Sequence, residues 1–214
     1  MAAAFDPADD FARVTDGLVP VTFLRPGTSL TAAVSHALVH ATRLINVERS
    51  DGQYSTHDVV WHVPSEELPV APRPGDVLVA GDGQRWTVLV VQRATLDSRW
   101  RCVCRNLSRM HGLDQYIDIE KASYTKGEQG EAAAAWHVWR TGLRAKIQPV
   151  GSEATREHDH PTTIERYRIY CAEDLELDHH HRIRGPDGTT YRVLGTTKPD
   201  RIDALLEINV VRLP

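Results

Sequence analysis

The residues best equipped for chemistry in this 214-residue chain are its histidines. His158-Asp159-His160 and Asp178-His179-His180-His181 set imidazole and carboxylate donors side by side, the donor types that zinc and iron take. Their setting speaks against a metal centre. His158, Asp159 and His160 fall in a polar stretch, 151–161, with no apolar frame to orient them. The triplet at 179–181 runs into a strand, where only alternate residues share a face. The expectation is a solvated, partly protonatable loop with no metal and no cofactor. The out-of-class alternative is a metal-dependent enzyme that uses the His-rich loops.

Nucleophilic chemistry has less to work with. Ser35-His36 and Ser65-Glu66-Glu67 are only neighbours in sequence, and neither a G-x-S-x-G elbow nor a Gly-rich phosphate loop is present. Glu173-Asp174 reads as a solvated turn. No constellation assigns a nucleophile, a base and an oxyanion donor together, so the chain is expected not to be an enzyme. The three cysteines, Cys102, Cys104 and Cys171, make neither a disulfide framework nor a zinc site. Cys102 and Cys104 are two apart on a predicted strand and are expected to be small buried side chains on one face.

Composition sets the broad class. Hydrophobic residues make up 41% and charged residues 25%, as in globular domains. No apolar run approaches the ~18 residues of a membrane span, and the acidic opening MAAAFDPADD lacks a signal peptide's basic region. Synthesis and assembly in a cytoplasm, with no membrane partner, is the expectation. Net charge is −4, and dividing after Leu107 leaves −2 in each half. Arginines outnumber lysines 21 to 4, but acids are interleaved among them. Surface ion pairs and subunit contacts therefore suit them better than a DNA-wrapping face.

The elements that must position these residues come in two sets. AGDGQRWTV (80–88) and GPDGTTYRV (185–193) share an Asp-Gly pair, an aromatic three residues later and a closing Val, at a constant offset of 105. STHDVVWHV (55–63) matches TTIERYRIY (162–170), setting Trp61 against Tyr167, and SRWRCVCRNL (98–107) matches LLEINVVRL (205–213). Asp82-Gly83 and Asp187-Gly188 read as tight hairpins in which both central residues take positive φ. Asp82, Gly83, Trp86, Asp187, Gly188, Tyr191, Trp61 and Tyr167 are thus expected to determine the fold. Five or six short strands per hundred residues imply an all-β protein: two tandem small antiparallel β-barrel or sandwich domains with a short N-terminal helix.

The expected division is an N-terminal arm over 1–15, a first unit over 16–107, a linker over 108–113 and a second unit over 114–214. Asp6-Pro7 marks the helix start. Residues 29–45 fit a helical face through Leu30, Val34, Ala37, Leu38 and Ala41. The equivalent 130–147 reads better as pleated, so strand is expected in both. On that strand Trp136 and Trp139 would face opposite sides, leaving Trp139 as a candidate for an interface.

The second unit resembles a known family. IDIEKASYTKGEQGEAAAAWHVWRTGLRAKIQPVGSE, TTIERYRIY and HHHRIRGPDGTTYRVLGTTKPDRIDALLEINVVR follow in order the segments of bacteriophage head–tail joining proteins, the head-closure or stopper components of the neck. The resemblance covers about 114–213; the first unit fits the same plan more loosely, with PRPGDVLV in place of an Arg-Ile strand. It implies a non-catalytic small β-barrel protein of the virion neck. Such a protein forms a ring with copies of itself, below a portal or adaptor protein and above a tail-terminator or tail protein. Packaged DNA passes through without sequence-specific binding. Another neck or tail ring component, an adaptor or a tail-terminator-like protein, is the alternative. Glu153, Arg156, Glu157, His158, Asp159 and His160, together with Trp139, are the candidate interface residues.

Overall fold

The computed structural model describes residues 16–42, 54–94, 96–126, 132–157, 160–198 and 200–213, with Pro7, Phe11, Arg13 and Glu48. Apart from helical backbone at those four residues and one short helix, the elements are strands. The chain divides into two compact units, Met1–Met110 with Arg201–Asp203, and His111–Asp200 with Ala204–Pro214.

The first unit holds β1 (Val19–Leu24), β2 (Thr31–Ala41), β3 (Val59–Pro64), β4 (Val77–Ala80), β5 (Arg85–Ala94) and β6 (Arg99–Arg105). They close into an antiparallel barrel in the order β1-β2-β3-β6-β5-β4. Residues 31–41 are strand, as the second of the two readings expects. The helical stripe there has only two residues buried in the strand, Val34 and Ala37, and barrel closure decides between the readings. The core alternates inward from all strands: Val21, Phe23, Val34, Ala37, Trp61, Val63, Leu78, Trp86, Val88, Cys102 and Cys104. Both cysteines are buried, and burial pushes the Cys102 thiol up to about 12 and Cys104 well above its ordinary value.

Helix α1 (Leu107–Met110) follows β6. Asn106 caps it: its side-chain oxygen accepts from the Arg109 N–H at 3.0 Å.

The second unit holds β7 (Gln115–Lys126), β8 (Ala132–Glu157), β9 (His160–Cys171), β10 (His181–Arg184), β11 (Thr190–Thr197) and β12 (Leu206–Arg212). Its barrel closes as β7-β8-β9-β12-β11-β10, the topology of the first. Its core is built on Ile117, Ile119, Ile169, Ile183, Val193, Ile208 and Val210, with Tyr191 its buried aromatic.

The repeated turn differs from the expected two-residue form. Ala80 N–H donates to Gln84 C=O and Gly83 N–H to Ala80 C=O, both at 2.9 Å. Gly185 N–H donates to Thr189 C=O at 2.8 Å, and Gly188 N–H to Gly185 C=O at 3.1 Å. Each loop therefore has three residues, and only the glycine takes positive φ, +78° at Gly83 and +82° at Gly188. The aspartate has another task. Asp82 accepts from the Gln84 N–H and Asp187 from the Thr189 N–H, both at 3.0 Å, which locks the turn two residues on.

The duplication reaches a defect in the sheet. On β5 the pairing slips between Val88 and Val90, and on β11 between Val193 and Gly195, again 105 residues apart. Val88 faces Cys104 and Val193 faces Val210, so Cys104 and Val210 are counterparts. On the next strand Cys104 faces Val59, whereas Val210 faces Tyr167. Tyr167 thus occupies the place of Val59, and Trp61 that of Ile169. The sequence match of Trp61 with Tyr167 is two residues out of register. A slip of two keeps every side chain on its face, so the hydrophobic pattern is blind to it.

Candidate assembly surface

The first two strands of the second unit extend past its barrel as ribbons. β7 pairs with β8 from Gln115 through Lys126, but with β10 only from Asp118 to Lys121. Residues 123–126 and 132–135 pair only with each other. At the other end of β8, Ser152 through Glu157 pair with Glu165 through His160, while the β12 pairing stops at Arg166. β8 is 26 residues long, against the ~5–6 of an ordinary strand. No such ribbon occurs in the described part of the first unit, where β1 and β2 are joined by the short turn 25–30.

This corrects the expected polar loop at 151–161. Over 151–157 and 160–161 its backbone is a β-ribbon. Glu153, Arg156, Glu157 and His160 lie on the ribbon backbone; His158 and Asp159 lie outside the described residues. At the ribbon's root Tyr167 O–H donates to Glu165 at 3.0 Å, and Arg212 pairs with Glu165 at 3.2 Å. The Tyr167 ring meets Tyr191 edge-on at 5.3 Å, as Trp61 meets Trp86 at 6.5 Å in the first unit.

Trp139 and Trp136 do not follow simple alternation. Glu120 faces Val138 and Ile119 faces Arg140, so Trp139 sits in a bulge. Both tryptophans are half-buried. Trp139 packs on the barrel core, its ring 5.1 Å from His181 and under the Arg140 guanidinium. Trp136 lies under Arg182 at 4.4 Å.

Each barrel closes over a buried acid that sequence patterning did not single out. In the first unit Asp76, before β4, accepts from Arg25 at the end of β1 at 2.9 and 2.8 Å. In the second, Glu120 on β7 accepts from Arg182 and Arg184 on β10. The seam is the same and the signs are exchanged between its two sides. A third buried pair, Arg105 to Asp58 at 2.8 Å through two nitrogens, joins the end of β6 to the approach of β3. The signal available in the sequence was an acid or arginine inside or beside an apolar run, as in GDVLV and IDIEKA.

The histidine triplet lies in a turn rather than along a strand. Residues 179 and 180 are turn, and only His181 begins β10. The alternate-face rule therefore does not hold. His179 and His180 rings lie 3.9 Å apart outside, while His181 points into the barrel. The His181 Nδ1 lies 2.8 Å from Asp178 Oδ1, which also accepts from the His180 N–H at 2.9 Å. That backbone N–H, then His181, holds the Asp178 carboxyl below the usual carboxylate range.

No family model matches the chain. No curated protein matches it either. Among solved structures, a chain of one titled "Virion of native gene transfer agent (GTA) particle" is similar at 12% identity, with a TM-score of 0.37, over 47% of this chain and 94% of that one. Among the described residues no helix is long and apolar enough to cross a membrane.

Proposed function

We propose that the chain is a structural virion component of the neck, assembling as a ring between the portal or adaptor and the tail. In this reading it closes the DNA-filled head and offers the surface on which the tail docks. The observation that carries the proposal is the ordered resemblance of residues 114–213 to head–tail joining proteins. Two features of the second unit support it. It is a closed barrel, which leaves no barrel edge to aggregate, and it carries two ribbons whose outer backbone groups are free to pair with a neighbour. Of the candidate interface residues, Glu153, Arg156, Glu157 and His160 fall on one ribbon. The protein acts by assembly and not by catalysis.

Disrupting the gene in the virus or prophage that encodes it tests the reading. The expected outcome is full-size heads that lose DNA and free tails that do not join them, seen by electron microscopy. Joined, infectious particles would overturn it. Replacing residues 153–164 by Asn-Gly, which keeps Ser152 opposite Glu165, should give the same particle defect in a protein whose circular dichroism and urea midpoint are unchanged.

A further inference from the structure

The turn at residues 178–181 is shared by both barrels, but only the second arms it with metal donors. Its first-unit counterpart is Arg73-Pro74-Gly75-Asp76: Asp76 N–H donates to Arg73 C=O at 3.1 Å, as His181 N–H donates to Asp178 C=O at 3.0 Å. In each the fourth residue is buried and its side chain reaches back to the first, Asp76 to the Arg73 N–H and His181 to the Asp178 carboxylate. The fold needs only that contact. The second unit adds two outward imidazoles and a carboxylate to it, and nothing in barrel closure calls for them.

We propose that Asp178, His179 and His180 form a surface site for a borderline divalent cation of the zinc, nickel or copper class. One ligand atom from each of the three lies within 4.8 Å of the others. Tetrahedral ligands ~2.0–2.1 Å from zinc stand about 3.3 Å apart, so small side-chain rotations close the set. Two imidazole nitrogens and one carboxylate oxygen suit these metals and not magnesium or calcium, which take oxygen ligands.

The carboxylate is preset for the role. His181 and the His180 N–H both engage Oδ1, which leaves Oδ2 to face the cation. An outer partner of this kind raises affinity by fixing a ligand's orientation. His181 is itself held by the barrel, buried against Trp139. The site also borders a ribbon. Ala122 N–H donates to His180 C=O at 2.8 Å, and Tyr124 O–H lies 3.4 Å from His180 Nδ1. A bound cation therefore fastens the turn beside the root of the β7–β8 ribbon. Three ligands from one chain leave coordination positions open for water or for a donor from a neighbour. The inference does not rest on the neck assignment.

Titrating zinc into metal-free, untagged full-length protein by calorimetry tests it. The expected result is one zinc per chain at pH 7.5. The double variant His179→Gln/His180→Gln should abolish binding, and Asp178→Asn should weaken it about tenfold or more. The side chains of His179 and His180 carry none of the turn's contacts to Asp178, so the double variant should keep the parent urea midpoint. The double variant His158→Gln/His160→Gln should bind as the parent does. No heat at millimolar zinc overturns the proposal. So does binding that survives the 179/180 change or disappears with the 158/160 change.

Discussion

At the scale of single residues, the repeated glycine and a buried-edge histidine make the sharpest demands. Gly188 at φ +82° and Gly83 at φ +78° hold a left-handed conformation that an added Cβ strains whatever space is around it. Alanine at either should cost about 1–2 kcal/mol in a urea titration. Gly81→Ala, in the same loop with an ordinary φ and open space, should be near neutral. His62 lies in β3 with the His40 ring at 5.7 Å. Burial, then Arg99, His40 and Arg101, bring its pKa down to about 4 from 6.5. The unfolded chain binds the proton below pH 6.5 and the folded chain only below about 4. Stability from this group is therefore present at neutral pH and falls as pH drops through that window. The ring is only half-buried, so the loss is discounted to on the order of 1–2 kcal/mol. His62→Gln should flatten the dependence of the urea midpoint on pH between 7 and 4; an unchanged slope would place the titration elsewhere.

At the scale of elements, ion pairs bind strand ends that hydrophobic patterning leaves loose. Asp58 and Arg105 are both buried and meet through two hydrogen bonds, and Asp203 holds the same guanidinium at 3.0 Å. Asp58→Ala leaves Arg105 with Asp203 alone and should cost about 1.5–3 kcal/mol, read as a lowered urea midpoint. The pairing of strands was legible where a turn was short and chemically marked, as at Asp82-Gly83 and Asp187-Gly188. It was not legible at the ribbons. The sequence of residues 151–161 is polar nearly throughout, so it offers no alternation to read. The bulge at Trp139 defeated the parity argument for a related reason: one extra residue inverts which face follows. The two-residue slip between Trp61 and Tyr167 escaped notice because it inverts nothing.

At the scale of the whole molecule, the chain is a duplicated barrel with unequal copies. Both close in the same strand order, and only the second carries ribbons among the described residues. If assembly uses each unit as one position, a ring of this protein holds half as many chains as it has barrels. In such a ring, if the proposed assembly holds, electron microscopy should show alternating ribboned and plain barrels. Equal barrels at every position would contradict that arrangement. The unit boundaries, the buried seam pairs and the turn at 178–181 together divide the labour. Closure is carried by buried contacts common to both units, and specialised chemistry by what the second unit adds outside.

The sequence by itself determined the fold class, the duplication and the marked hairpin within each copy. These rest on local signals: period-two alternation, marked turns and an offset that holds from one end of a unit to the other. The tertiary structure alone decided the register between strands, the acid–arginine seam and the turn that sets Asp178, His179 and His180 together. Each depends on which residues barrel closure brings face to face. A sequence pattern of period two cannot specify that, because it reads the same after every slip of two.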